Sequence, residues 1–169
     1  MEKGRIGLLV TRALQFICAA AVLGVGVKLA RGVHEFDDDC KAYAKHDRDC
    51  NDALGRFPSS LAYAAFTGAF GLLDALVGLA AVFISAVPWI AVLALDALAA
   101  VFFLAGGINS AILRSKDKYR NEGRCDLLSG FCGRFDATTA LMFIGFLTTL
   151  GAMAMGFFSR RSGNRHSAV

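Results

Sequence analysis

A continuous apolar hairpin between Ser59 and Leu113 constrains this chain more than any other feature of its sequence. Its arms read SSLAYAAFTGAFGLLDALVGLAAVFISAV and PWIAVLALDALAAVFFLAGGINSAIL, and a single acid interrupts each of them. A transmembrane helix needs about 20 mostly apolar residues to cross about 30 Å of hydrocarbon, and both arms are longer than that. The uncharged link at 85–88 is so short that the two helices must be antiparallel neighbours, and Pro88 suits the first turn of the second helix.

Two further apolar runs, Ile6–Ala30 and Ala137–Phe158, bring the number of candidate membrane spans to four. A chain of 169 residues that is 56% hydrophobic is also too apolar for a soluble domain of this size. The sequence therefore predicts an all-α membrane protein, a four-transmembrane-helix bundle that forms a single domain over residues 1–169. The predicted helices cover about 6–31, 59–86, 88–113 and 137–158, with loops at about 32–58 and 114–136.

The first apolar run shares some features with a cleaved signal peptide. Lys3 and Arg5 precede it, and a Cys-Ala-Ala-Ala stretch lies at 18–21. However, Arg12 interrupts the apolar core of this run, and the run continues to Leu29. We therefore expect it to be kept as the first membrane helix.

The orientation of the bundle is predicted from its cysteines. Because the number of spans is even, both termini lie on one side and both loops on the other. The loops are richer in Lys and Arg than the termini, which by itself favours cytosolic loops. Each loop also holds a cysteine pair, Cys40 with Cys50 and Cys125 with Cys132, which is typical of disulfides in an oxidising compartment. We favour extracytosolic loops and cytosolic termini; free thiols in cytosolic loops remain the alternative, and the disulfide connectivity stays open.

Three charged groups, Arg12, Asp74 and Asp96, fall well inside the spans, where each is costly enough to need a partner. Lys28 and Arg31, at the far end of the first helix, are expected to extend to the membrane interface. At about 1.5 Å per residue, Arg12 lies about 9 Å and Asp96 about 12 Å beyond the start of their helices, measured from the same membrane face. Their matching depth predicts an ion pair between the first and third helices. Asp74 lies nearer the midplane. It is expected to be either protonated or hydrogen-bonded to Asn109, Thr67 or a backbone carbonyl.

Small residues recur at four-residue spacing inside the predicted helices. The pairs are Ala20 with Gly24, Gly71 with Ala75, Gly106 with Ser110, Gly107 with Ala111, and Ala152 with Gly156. Lipid provides no hydrophobic drive for helix association, so such faces hold helices together by close backbone approach. We interpret Gly71, Gly106, Gly107 and Gly156 as helix-packing positions. A face of this kind also allows a homo-oligomer, and both interpretations stay open.

No arrangement of residues suggests catalysis or a bound cofactor. His34 and His46 flank the acidic run 37–39, but their spacing matches no metal motif. There is no CxxC motif, no Gly-rich phosphate loop and no nucleophile with a nearby base. We therefore expect no enzyme activity, no cofactor, no metal and no nucleic-acid partner.

The C-terminal tail SRRSGNRHSAV is short and basic. Its cations, Arg160, Arg161 and Arg165, directly follow the fourth span. Each cation near an anionic membrane surface contributes about 1 kcal/mol of attraction. We predict that these three side chains contact lipid headgroups.

Several apolar segments of the sequence contain polar residues in a recognisable order. They are VTRALQFICAAAVLGVG in the first helix, SSLAYAAFTGAFGLLDALVGLAA in the second, PWIAVLALDALAAVFFLAGGINSAIL in the third, and GRC with RFDATTALMFIGFL before and within the fourth. Over nearly the whole chain they resemble the fungal MARVEL-domain proteins, and within them the non-classical export protein group. An Arg in the first helix and an Asp in the third are landmarks of these proteins and of the similar plant Casparian-strip membrane proteins. Here they fall on Arg12 and Asp96.

The resemblance implies a non-enzymatic four-helix membrane organiser with cytosolic termini. Such proteins act in microdomains of the plasma membrane, in vesicle traffic and in responses to sphingolipid state. The implied partners are membrane lipids such as sphingolipid or sterol, other membrane proteins and further copies of the chain. The implied location is the plasma membrane, with secretory or endosomal vesicles as the alternative.

Two other functions remain open at this stage. Asp74 and Asp96 are compatible with a small proton- or cation-coupled transporter or channel. The paired cysteines of the first loop are similar to those of claudin-like adhesion proteins. However, no Gly-Leu-Trp precedes Cys40, and the single tryptophan, Trp89, falls on the opposite side of the membrane from that loop.

Overall fold

The computed structural model describes residues 2–43, 57–83, 88–120 and 131–166, and all of its regular structure is helical in these ranges. The helices are α1 (Glu2–Tyr43), α2 (Phe57–Phe83), α3 (Trp89–Arg120) and α4 (Phe131–His166). Each includes a segment that is long and apolar enough to cross a membrane: Ile6–Glu35, Pro58–Phe83, Trp89–Ser115 and Gly133–Phe158. The predicted all-α, four-helix membrane architecture is confirmed.

The helices extend beyond the boundaries expected from hydropathy. The first predicted loop began at residue 32, whereas α1 continues to Tyr43; the second began at residue 114, whereas α3 continues to Arg120. Hydropathy marks where the apolar segment ends, but a helix ends only where its backbone hydrogen bonds stop. The polar stretch HEFDDDCKAY contains neither Gly nor Pro to stop the helix, so α1 continues through it.

Pro88 lies directly before α3, as its fixed φ and missing N–H favour. Its carbonyl oxygen accepts hydrogen bonds from the backbone N–H groups of Ala91 at 3.0 Å and Val92 at 3.4 Å. The residue thus opens the first turn of α3 instead of interrupting a longer helix.

The four helices form a ring in which α1 and α3 each pack against α2 and α4. The closest approach between α1 and α2 depends on glycine. A Cβ atom added at Gly68 would lie 2.6 Å from the backbone nitrogen of Leu23, and one added at Gly26 would lie 3.2 Å from that of Ala65. Because lipid does not drive helices together, this backbone contact contributes directly to cohesion.

Phe103 of α3 is the largest fully buried side chain and fills the middle of the ring. Its ring fits between two glycines, since an added Cβ at Gly71 of α2 or Gly145 of α4 would lie 2.8 Å from it. The residues of this central cluster come from all four helices: Ala19, Val22, Ala64, Phe103 and Met142. A second apolar cluster lies towards the Tyr43 end of α1 and consists of Leu29, Val33, Leu61 and Phe135.

The predicted packing glycines differ in what they contact. Gly71 faces the Phe103 ring, Gly106 faces Met142, and Gly107 faces the ring of Phe143. Gly156 is a correction to the sequence analysis, because an added Cβ there meets no atom of the described residues within 4 Å. No described helix lies over it, so it is not a packing residue within this bundle.

The outer surface of the ring is apolar on every helix. Ile17, Leu73, Val101 and Leu147, one from each helix in turn, are 60–63% exposed. A continuous apolar surface of this extent is unfavourable in water. This surface is therefore suited to the hydrocarbon interior of a lipid bilayer.

We expect Phe103→Ala to destabilise the bundle by about 3 kcal/mol, within the range for large cavity-forming substitutions, because its ring contacts are lost and cannot be replaced. Thermal unfolding of the purified protein in detergent measures the effect. Phe83→Ala is the matched control, since Phe83 is 70% exposed. Equal losses in the two variants would contradict the central position of Phe103.

Candidate functional site

An ion pair crosses the ring between α1 and α3. The guanidinium group of Arg12 donates through Nη1 to Asp96 Oδ1 at 2.5 Å and through Nη2 to Asp96 Oδ2 at 2.7 Å. Arg12 is 3% exposed and Asp96 is 1% exposed. A bidentate contact of this kind fixes the orientation of both groups as well as their separation.

Gly78 of α2 provides the space for this pair. A Cβ atom at this position would overlap the Arg12 guanidinium group at Cζ and Nε. A side chain at position 78 would therefore displace the guanidinium group from its place in the ring. Nε of Arg12 is buried there and has no hydrogen-bond partner in the described part of the chain.

Gln15 extends the ion pair to the other two helices. Its Oε1 accepts a hydrogen bond from Arg12 Nη1 at 2.9 Å, and its Nε2 donates to Asp74 Oδ2 of α2 at 2.5 Å. Nε2 also lies 3.5 Å from Thr149 Oγ1 of α4, at the limit for a hydrogen bond. All three of these polar partners around the pair, Gln15, Asp74 and Thr149, are at most 1% exposed.

Arg12, Gln15, Asp74, Asp96 and Thr149 together form a buried layer, called the polar layer below. It takes at least one side chain from every helix and lies on the N-terminal side of the Phe103 cluster along α1. Since unpaired polar groups are costly in hydrocarbon, their mutual bonds favour this one arrangement of the helices. The layer provides cohesion, but it contains no nucleophile with an adjacent base.

The sequence analysis missed Gln15 and Thr149. Gln15 could have been found, because it lies three residues after Arg12 and therefore on the same helical face. Thr149 gave no such signal, since threonine in a membrane helix usually bonds to its own backbone. Its hydroxyl does so here too, donating to the carbonyl oxygen of Gly145 at 2.8 Å.

The side-chain partners expected for Asp74 were wrong. Asn109 instead donates from Nδ2 to Ser60 Oγ at 3.3 Å, and Thr67 Oγ1 is buried with no partner among the described residues. The register of α2 explains the difference. Asp74 lies seven residues after Thr67, two turns nearer the Phe83 end, which places it level with Gln15.

Other predicted site residues lie outside the described part of the chain. Cys50 and Cys125 fall in the undescribed ranges, and the side chains of Cys40 and Cys132 are likewise not described. The disulfides therefore remain a prediction. The same is true of the headgroup contacts of Arg160, Arg161 and Arg165, whose backbone belongs to α4 but whose side chains are not described.

The acidic stretch at the end of α1 holds no metal-binding cluster among its described side chains. His34 Nδ1 lies 3.7 Å from Asp38 Oδ2, and both side chains are more than 70% exposed. Across the described residues, no group of three or more His, Cys, Asp or Glu is placed to hold a metal ion.

The described geometry can be set beside known families. A family model for MARVEL, a membrane-associating domain, matches residues 5–161. The chain belongs to the MARVEL family. Neither curated proteins nor solved structures give a significant match. The family match covers all four spans and the whole polar layer, so this MARVEL domain is the entire described bundle.

We expect Asp96→Asn to destabilise this MARVEL domain by about 1.5–3 kcal/mol, because the charge-assisted hydrogen bonds between Asp96 and Arg12 are lost. Glu35→Gln is the matched control, as Glu35 is an exposed acid on α1. Thermal midpoints and yields of the two purified variants measure the difference. Equal values would refute a stabilising role for the Arg12–Asp96 pair.

Proposed function

We propose that this MARVEL protein is a non-enzymatic organiser of microdomains in the plasma membrane or of vesicle membranes. It concentrates in patches by associating with copies of itself and with lipids such as sphingolipid or sterol, and its termini face the cytosol. The observation that carries the proposal is the difference in polarity between the interior of the bundle and its surface. The three buried charged residues of the spans, Arg12, Asp74 and Asp96, bond within the polar layer, and the surface around that layer and the Phe103 cluster is apolar.

Ala20 and Gly24 of α1 support self-association. Both residues are exposed, and an added Cβ at Gly24 meets no atom within 4 Å in the described part of the chain. By contrast, Gly68, Gly71 and Gly107 are covered by neighbouring helices of the same chain. A small-residue face left open to lipid allows the backbone of a second membrane helix to approach closely.

The test is the distribution of the fluorescently tagged protein over the cell surface. We expect the wild-type protein to collect in patches and Gly24→Leu, at equal expression, to spread evenly. The leucine side chain would hold a second helix away from α1, and a loss of about 1.4 kcal/mol would weaken association roughly tenfold. Gly151→Leu is the matched control, because Gly151 is another helical glycine with open space above it.

Three outcomes are informative. Even spreading of the wild-type protein would contradict the organising function. Patches that persist with Gly24→Leu would contradict association through this face of α1. If Gly151→Leu also spreads, the effect belongs to glycine replacement in general and the proposed face is again contradicted.

A small proton- or cation-coupled transporter is the second candidate function. The observation that favours it is the presence of two acids in one buried layer, since Asp74 and Asp96 are joined through Gln15 and Arg12. Acids inside a membrane bundle commonly serve proton or ion pathways. The Phe103 cluster argues against a path, because apolar residues from all four helices lie next to the polar layer.

Ion and proton flux through the purified protein in liposomes separates the two functions. We expect no flux above that of empty liposomes, because the fully buried Phe103 ring fills the middle of the bundle next to the polar layer. Asp74→Asn and Asp96→Asn are measured beside Asp38→Asn, a variant at an exposed acid. Flux that vanishes in either buried variant and persists in Asp38→Asn would replace the organising function with transport.

A further inference from the structure

The charges of the polar layer do not balance if both of its acids are ionised. Arg12 of α1 carries one positive charge, and Asp74 of α2 and Asp96 of α3 would carry two negative charges. The described residue of α4 in this layer, Thr149, is neutral, as is Gln15 of α1. Arginine keeps its proton in proteins, so only a carboxyl group can change the sum. A buried layer with a net negative charge is strongly disfavoured in hydrocarbon.

The hydrogen bonds distinguish the two carboxyl groups. Both oxygens of Asp96 accept hydrogen bonds from the Arg12 guanidinium group, which is the environment of an ionised carboxylate. Asp74 accepts one hydrogen bond, through Oδ2 from Gln15 Nε2. Its other oxygen, Oδ1, is buried without any partner in the described part of the chain. A bare carboxylate oxygen in a dry interior is unfavourable, whereas a protonated one becomes a donor.

An acceptor for such a donor is close by. Asp96 lies in the same buried layer, joined to Asp74 through Arg12 Nη1 and Gln15, and each of its carboxyl oxygens retains a second lone pair beside the arginine contact. Two acids that share a site in this way commonly keep one proton between them.

We propose that the polar layer binds a single proton, carried on Asp74 Oδ1 and donated towards the carboxylate of Asp96. The layer then has one cation, one anion and one neutral acid, so it is uncharged. Gln15 Nε2 donates to the carbonyl-like oxygen of Asp74, and the acid proton satisfies the atom that is otherwise without a partner. The bound proton thus links α2 to the α1–α3 ion pair.

Infrared spectroscopy of the full-length protein in lipid at neutral pH tests this site. We expect the carbonyl band of one protonated carboxylic acid per chain, shifted when aspartate is labelled with carbon-13. The band should disappear in Asp74→Asn and remain in Asp38→Asn, a variant at an exposed acid of α1. A band that survives in Asp74→Asn would overturn the assignment of the proton to this residue.

The wild-type spectrum keeps the proposal falsifiable if Asp74→Asn does not fold. Absence of any label-sensitive band of a protonated acid at neutral pH would overturn it without a variant. Stability gives a second readout. Asparagine has nearly the shape of a protonated aspartic acid and is also neutral, so Asp74→Asn should keep a thermal midpoint close to those of wild type and Asp38→Asn. A clear shift of the midpoint in Asp74→Asn alone would contradict the bound proton.

Discussion

The guanidinium–carboxylate contact between Arg12 and Asp96 is the interaction on which the rest of this bundle depends. Neither group is tolerable in hydrocarbon without the other, so α1 and α3 must hold these residues at one depth and across the ring from each other. α2 then has to leave space for the arginine side chain, which Gly78 provides. The ion pair thereby fixes the positions of α1, α2 and α3 along the bundle axis relative to one another.

Polar and apolar contacts contribute to the bundle in different ways. The Phe103 cluster and the glycines around it hold the helices by close packing, which many sequences of similar volume could achieve. The polar layer is more selective, because rotating one helix or shifting it along its axis would leave a buried charge or amide without a partner. Packing therefore gives cohesion, and the polar layer favours one register.

This division of roles connects the structure to the MARVEL family's association with membranes. Because Arg12, Asp74 and Asp96 are buried in the polar layer, the middle of the bundle presents lipid with large apolar side chains and, at Gly24, an open small-residue position. Such a surface suits contact with lipid and with other membrane helices. We therefore assign the proposed association with lipid and other membrane helices to the outer surface of the ring, and the proposed bound proton to its interior.

The sequence by itself determined the four membrane helices and the matching depth of Arg12 and Asp96. Both follow from one-dimensional quantities, the length of an apolar run and the rise per residue of a helix. Only the tertiary structure decided that Gln15 joins Asp74 to the ion pair, that Gly78 faces the guanidinium group, and that Gly156 has open space above it among the described residues. These contacts depend on how each helix is rotated about its axis and on which helices are neighbours. Rotation and neighbours are both determined by contacts between residues that are distant in sequence.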